Sequence, residues 1–262
     1  MTAVRRYATL IPDKAGKWVK TMLQSKLRTP EETAAYLAEL KAFLEENRDI
    51  PTEGMAEFFA RRLDGYEDVH LGHWGEEYAH IADFFNSGLE TLLDIGCGTG
   101  LELASMYRRF PDLKVTGIDL SEDMLSKLAE KYREKDIELI QADYFRYPLE
   151  AGRYDAALSF ETLHHFPYEK KGEIYQKLFA ALKPGGYYIE SDYIACCQEE
   201  EALCLEQYTH RRKRDCVPDG EFVHIDIPLT LEHQRELIKS AGFRSVEVLY
   251  ENSGTMILRA QK

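Results

Sequence analysis

The residues with the clearest chemical potential are Leu92-Leu93-Asp94-Ile95-Gly96-Cys97-Gly98-Thr99-Gly100, an apolar run ending in a glycine-rich turn just before a helical segment. Glycines let a backbone turn tightly and approach a bound molecule, and the free N–H groups at the next helix start favour polar or anionic groups. A ligand is expected on this turn; an ordinary strand-to-helix connection is the alternative. Leu101 stands where the dinucleotide fingerprint G-x-G-x-x-G has its third glycine, which argues against a nicotinamide cofactor. A second acid, Asp119, closes the next apolar run, Val115 to Leu120. There a carboxylate can accept both hydroxyl hydrogens of a ribose, or simply be a solvated strand end. Asp143 follows the third run in Gln141-Ala142-Asp143-Tyr144, so three acids face one crevice at the carboxyl ends of strands.

Five segments in order, LLDIGCGTG, GIDLSEDML, QADYF, ALSFETLHHF and LKPGGYYIESD, carry a resemblance to the class I S-adenosylmethionine-dependent methyltransferases over about residues 91 to 192. The resemblance implies a Rossmann-like doubly wound α/β fold and S-adenosyl-L-methionine as cofactor, with S-adenosyl-L-homocysteine as product. By position it implies that Gly96, Gly98 and Gly100 cradle the methionine and ribose end, with Asp94 supporting a loop that also contains Cys97. It further implies that Asp119 binds the ribose, that Leu120 packs on adenine, and that Asp143 and Tyr144 recognise the adenine amino edge. Phe160 opens the stretch Phe160 to Phe166, which the family places beside the sulfonium and the incoming acceptor; His164 and His165 are its catalytic candidates. The Asn or Asp, two prolines and an aromatic that amino methyltransferases carry there are absent, which sets aside an amide or exocyclic base nitrogen as acceptor. The expected function is methyl transfer to a small molecule. The alternatives are other chemistry on the same cofactor and fold, or a regulatory module that binds the cofactor without turnover.

Candidates for the acceptor pocket lie outside these motifs. Trp74, beside His73, precedes the first strand, and Tyr193, Tyr208, Arg211 and His224 belong to a long insertion between Tyr193 and Thr230. The run His210-Arg211-Arg212-Lys213-Arg214 reads either as a salt-bridged helix end or as an attractor for an anionic substrate. Cys196, Cys197, Cys204 and Cys216 form no C-x-x-C pair, and neighbours in a helix or strand point to different faces. Packing is their expected role, and no metal site is expected.

These groups must be held by a sheet. TLLDI, KVTGI, IELIQ, YDAALSF and GYYIESDY alternate with helical segments, which implies parallel strands joined by crossovers, and SVEVLYENSGTMILRA reads as a terminal antiparallel hairpin. The expected sheet is seven-stranded and mostly parallel. Residues 1–88 read as a helical cap without strands, with helices near 30–47, 53–64 and 73–86, and residues 89–262 as the core, with a helical lid inserted at about 193–230. Thr29-Pro30-Glu31-Glu32 signals the first helix start as a capping box.

Composition narrows the setting. With 262 residues, 44% hydrophobic and 30% charged, the chain suits one generous α/β domain. A formal net charge of −13 opposes binding to polyanions. The odd count of five cysteines, with no signal peptide or membrane-length apolar run, suggests the cytoplasm and no disulfide framework. The expected partner is a small molecule, neither nucleic acid nor membrane, with a homodimer as the assembly to test.

Overall fold

The structure, a computed structural model, describes residues 7–12, 18–23 and 25–262. Its core is one seven-stranded sheet of β3 (Thr91–Ile95), β4 (Lys114–Asp119), β5 (Ile137–Gln141), β6 (Tyr154–Phe160), β7 (Leu182–Tyr193), β8 (Ser245–Asn252) and β9 (Thr255–Gln261), in the order β5-β4-β3-β6-β7-β9-β8. Strands β3 to β7 pair in parallel, and β9 slots antiparallel between β7 and the edge strand β8. The chain moves outward from β3 in one direction and returns on its other side with β6. Ligands of open α/β sheets collect at the carboxyl ends of such a switch point.

Consecutive side chains on a strand face opposite ways, and both faces of this sheet are covered. Leu92, Ala156, Leu158 and Ile189 pack with Met106 of α4 (Leu103–Arg109) and Leu128 of α5 (Glu122–Lys131). Leu93, Ile95, Ala157 and Tyr188 pack on the other face against Ile174 and Leu178 of α6 (Tyr168–Ala181) and Ile238 of α8 (Leu231–Ser240). Each such fully buried aliphatic side chain contributes roughly 1.5–3 kcal/mol, so the strand bearing the glycine turn is anchored from both sides.

The N-terminal helices are α1 (Pro30–Glu46), α2 (Met55–Arg61) and α3 (Tyr66–His80), the last followed by a short 3-10 turn at Ile81–Phe84. The capping box forms as expected: Thr29 Oγ1 accepts from Glu32 N at 3.2 Å, and Thr29 N donates to Glu32 Oε2 at 2.8 Å. Helix α3 begins earlier than its periodicity suggested and kinks at Trp74, whose φ of −124° and ψ of 24° are not helical. The expectation of no strand before residue 90 is corrected. Strands β1 (Tyr7–Pro12) and β2 (Trp18–Leu23) form an antiparallel ladder. Their segments, YATLIP and WVKTML, are rich in the β-branched and aromatic types that favour extended backbone.

The insertion holds α7 (Gln198–Arg214), which lies on α1: Gln207 Nε2 donates to Leu44 O at 3.3 Å and to Asn47 O at 3.2 Å. Its basic end is tied to backbone. Arg211 donates to Pro51 O at 3.0 Å, and Arg212 to Pro218 O at 2.8 Å and Glu221 O at 2.6 Å. Arg214 donates to Ile50 O at 2.7 Å and pairs with Asp215. Cys196 and Cys197 do not point apart. They sit in a bend ahead of α7, outside any regular element, with their sulfurs 3.8 Å from each other. Among the described residues no helix is long and apolar enough to cross a membrane.

Candidate active site

Strand β3 delivers the chain into Gly96, with φ of +66°, and Gly98, with φ of +47°. A Cβ at Gly96 would stand 2.5 Å from Thr162 Cγ2, so the turn is closed against the loop after β6. Asp119, at the end of β4, clamps it from the other side. Its Oδ2 accepts from Gly98 N at 2.9 Å and its Oδ1 from Ser121 N at 2.8 Å. Burial pushes this carboxyl above its ordinary range, against the pull of those backbone N–H groups.

These residues frame a cavity lined by Gly96, Gly98, Asp119, Leu120, Met124, Tyr144, Phe160 and His165, with Phe59 and Tyr66 reaching down from α2 and α3. It has about 600 Å³ of empty space, solvent at the mouth included. Phe160 stacks on Tyr78 with ring centres 4.0 Å apart, which fixes its position. Four sequence-based candidates do not reach the cavity. Cys97 turns its sulfur into the core, 2.9 Å from where a Cβ on Gly117 would stand. Gly100 lies behind the turn, its carbonyl accepting from Tyr132 OH at 2.8 Å. Asp143 caps the next turn, accepting from Phe145 N at 2.9 Å, while its neighbour Tyr144 lines the cavity. Asp94 is buried beneath the glycines, facing the buried Glu102.

The Asp94–Glu102 pair is costly. Burial raises both carboxyls and pushes Glu102 up to about 7 even though its hydrogen bond with Asp94 pulls it down, while the charge of Glu102 raises Asp94 further. The folded chain then holds more protons here than the unfolded one, so this contribution falls as pH rises from the ordinary 4.5 toward about 7. Glu102→Gln is expected to flatten stability across that window and to gain about 1–3 kcal/mol at pH 8 relative to wild type. Urea unfolding of both proteins at pH 5 and pH 8 checks this; parallel pH dependences would refute a shared proton.

A second cavity adjoins the first through Phe59, Tyr66, Glu161 and His165, and is lined further by His70, Trp74, His164, His224 and Asp226. Glu161, directly after β6, is buried with φ of +48°, a conformation L-residues rarely adopt. Thr255 links it to the kinked helix, receiving Trp74 Nε1–H at 3.0 Å and donating to Glu161 Oε1 at 3.4 Å. His164 and His165 lie side by side, ring centres 3.9 Å apart, and His224 is 4.4 Å from His165 while stacked on Phe58. Burial works against charge on all three. Asp192, hydrogen-bonded to His164 Nδ1, overcomes it and holds that imidazole up at about 9, whereas burial pushes His165 down and His224 down to about 3.

Of the acceptor-side candidates, Trp74 and His224 line this second cavity. Tyr193 stands near its rim, its ring 6.0 Å from His164 and its hydroxyl 2.7 Å from Tyr36 OH. Tyr208, under Arg212, and Arg211, on Pro51, line neither cavity. Sequence reasoning missed Asp192, Glu161 and Asp226. Asp192 sits near the carboxyl end of β7 in a motif already singled out, and Asp226 is two residues from His224, a His-x-Asp pair that could have been noticed.

Comparison with known proteins agrees with this geometry. Residues 92–186 match the family model described as a methyltransferase domain. The chain is 27% identical over 166 residues to "Uncharacterized methyltransferase YdaC" of Bacillus subtilis, covering 62% of this chain and 76% of that protein. It is 24% identical over 176 residues to a carboxy-S-adenosyl-L-methionine synthase of Nautilia profundicola, covering 63% and 74%. In fold it is similar to human N-acetylserotonin methyltransferase solved with S-adenosylmethionine, with TM-score 0.60, 19% identity, and 90% of this chain and 68% of that one covered. Streptomyces venezuelae DesVI gives TM-score 0.56 at 21% identity, covering 76% and 97%. Residues 92–186 thus carry a methyltransferase domain, and the seven-stranded sheet has the fold of these solved neighbours.

Proposed function

We propose that this protein transfers a methyl group to a small-molecule acceptor that occupies the histidine-lined cavity under α2, α3 and the segment 215–230. The observation that carries this reading is the continuity of the two cavities, which share Phe59, Tyr66, Glu161 and His165. The residues of the first cavity suit the cofactor. Gly96 and Gly98 offer a turn without side chains, Asp119 would accept the ribose hydroxyls, and Leu120, Met124 and Tyr144 offer surface to adenine.

When bound, the cofactor supplies a methyl group on a positively charged sulfur, so the chain need not provide a covalent nucleophile. Its task is to align the acceptor and to exclude water. Orientation of this kind is worth effective molarities on the order of 10⁵ M or more. Trp74, Tyr193 and His224 would shape the acceptor's place, and His164 and His165 would face its reacting group. The N-terminal helices with residues 193–230 act as a cap on the core that follows residue 89. The net charge of −13 favours neither nucleic acid nor an anionic membrane surface as partner. A cytoplasmic location and a homodimer fit this reading.

Transfer of label from methyl-labelled S-adenosylmethionine to compounds of a hydroxyl-, thiol- and amine-bearing panel tests the reaction. Label found only in an altered cofactor, or no turnover with any compound despite tight S-adenosylhomocysteine binding, would overturn it. With an acceptor in hand, Trp74→Ala and His224→Ala are expected to lower turnover by about tenfold or more while S-adenosylhomocysteine affinity shifts little. Lys114→Ala, at the opposite end of the sheet, should change neither.

A further inference from the structure

Three side chains of the second cavity converge in a way that cofactor binding does not require. His164 and His165 come from the turn after β6, and Asp226 from the return of the insertion. Asp226 Oδ1 lies 3.1 Å from His165 Nδ1 and 3.7 Å from His164 Nε2. Ligand atoms about 2.0–2.1 Å from a tetrahedral zinc ion are roughly 3.3–3.4 Å from one another, so both distances from Asp226 are near what a single ion would impose, and one ligand atom from each of the three residues lies within 4.8 Å of the others. We propose that His164, His165 and Asp226 form a binding site for a divalent transition-metal ion of zinc's borderline character, with its open coordination position facing the acceptor-side cavity.

Two independent features support the site. His165 Nδ1 is buried and makes no well-directed hydrogen bond, although Asp226 Oδ1 stands 3.1 Å away. A buried ring nitrogen left this way costs about 1–3 kcal/mol unless something else occupies its lone pair. The second feature is the support behind His164. Its Nδ1 is hydrogen-bonded to Asp192 Oδ1, while Asp192 Oδ2 accepts from Leu163 N at 2.8 Å and His164 N at 3.1 Å. This carboxylate fixes the imidazole so that Nε2 faces Asp226, the arrangement by which proteins orient and strengthen a metal-bound histidine. Two imidazoles and one carboxylate are the donors of zinc sites that keep a position for water or substrate. Asp226, whose side chain is 49% exposed, leaves the ion a way in. The ligands come from two segments far apart in the chain, so no metal motif is visible in the sequence.

Cobalt(II) is the probe, since its visible absorption reports nitrogen and oxygen ligands in low-coordinate geometry and needs no turnover. The full-length protein, stripped with chelator, is expected to take up one equivalent with a d–d band that zinc displaces. His164→Ala, His165→Ala and Asp226→Asn should each weaken uptake at least tenfold with secondary structure intact by circular dichroism. Asp192→Asn, which removes support rather than a ligand, should weaken it about 10–100-fold, and His210→Ala should not. The site is refuted if no stoichiometric band forms at 100-micromolar cobalt, or if His165→Ala and Asp226→Asn bind as wild type does. Cobalt uptake without methyl transfer would overturn the proposed function alone; methyl transfer without uptake would overturn this site alone.

Discussion

Asp119→Ala is expected to weaken S-adenosylhomocysteine binding about 100-fold or more. The carboxylate is the acid that β4 delivers to the first cavity's lining, and hydrogen bonds to a charged acceptor contribute about 1.5–3 kcal/mol each, with two ribose hydroxyls to satisfy. Its loss also strips Gly98 N and Ser121 N of their acceptor, loosening the turn itself. Asp119→Asn, which keeps the shape and one acceptor oxygen, should fall between. Calorimetric titration of the three proteins measures this directly. In wild type, ligand at a hundredfold excess over its dissociation constant should add about 2.7 kcal/mol of stability, a gain that Asp119→Ala loses at the same ligand concentration. Equal dissociation constants for all three would mean that the cofactor lies elsewhere.

Gly96→Ala is expected to destabilise the fold by about 2–5 kcal/mol and to abolish cofactor binding. Two costs combine. A left-handed backbone costs an L-residue roughly 1–2 kcal/mol, and forcing a methyl into a packed site costs about 1–3 kcal/mol more. The added Cβ would meet Thr162 at 2.5 Å for Cγ2 and 2.7 Å for Oγ1. That short side chain is held by Oγ1 donating to Phe160 O at 3.0 Å, so it has little room to yield. Gly152 provides the comparison: its φ is also +66°, but a Cβ there would meet nothing within 4 Å. Gly152→Ala should carry the backbone cost alone. The difference between the two variants in urea unfolding isolates the contact with Thr162, and two equal values would show that the turn after β3 is not closed against the loop after β6.

The sequence by itself determined those features whose physics is local. Thr29 and Glu32 cap α1 because both partners lie within one turn of chain. Leu92 and Leu93 go to opposite faces because a strand alternates, and Gly96, Gly98 and Asp119 meet because the switch point of a parallel sheet brings adjacent strand ends together. The tertiary structure decided the rest. A basic run reads the same whether it awaits an anion or closes a helix end, and only the packing of α7 on α1 gave Arg211 and Arg214 the carbonyls of Pro51 and Ile50. Cys196 and Cys197 became neighbours in space because their bend obeys no helical or strand period. The β1–β2 ladder escaped notice because short strands are defined by the partner they pair with, not by their own periodicity. His164 and His165 were visible as a pair, but their partners Asp192 and Asp226 come from the end of β7 and from the returning insertion. Periodicity can say which way a side chain points; which distant segment lies opposite is settled only when the whole chain has packed.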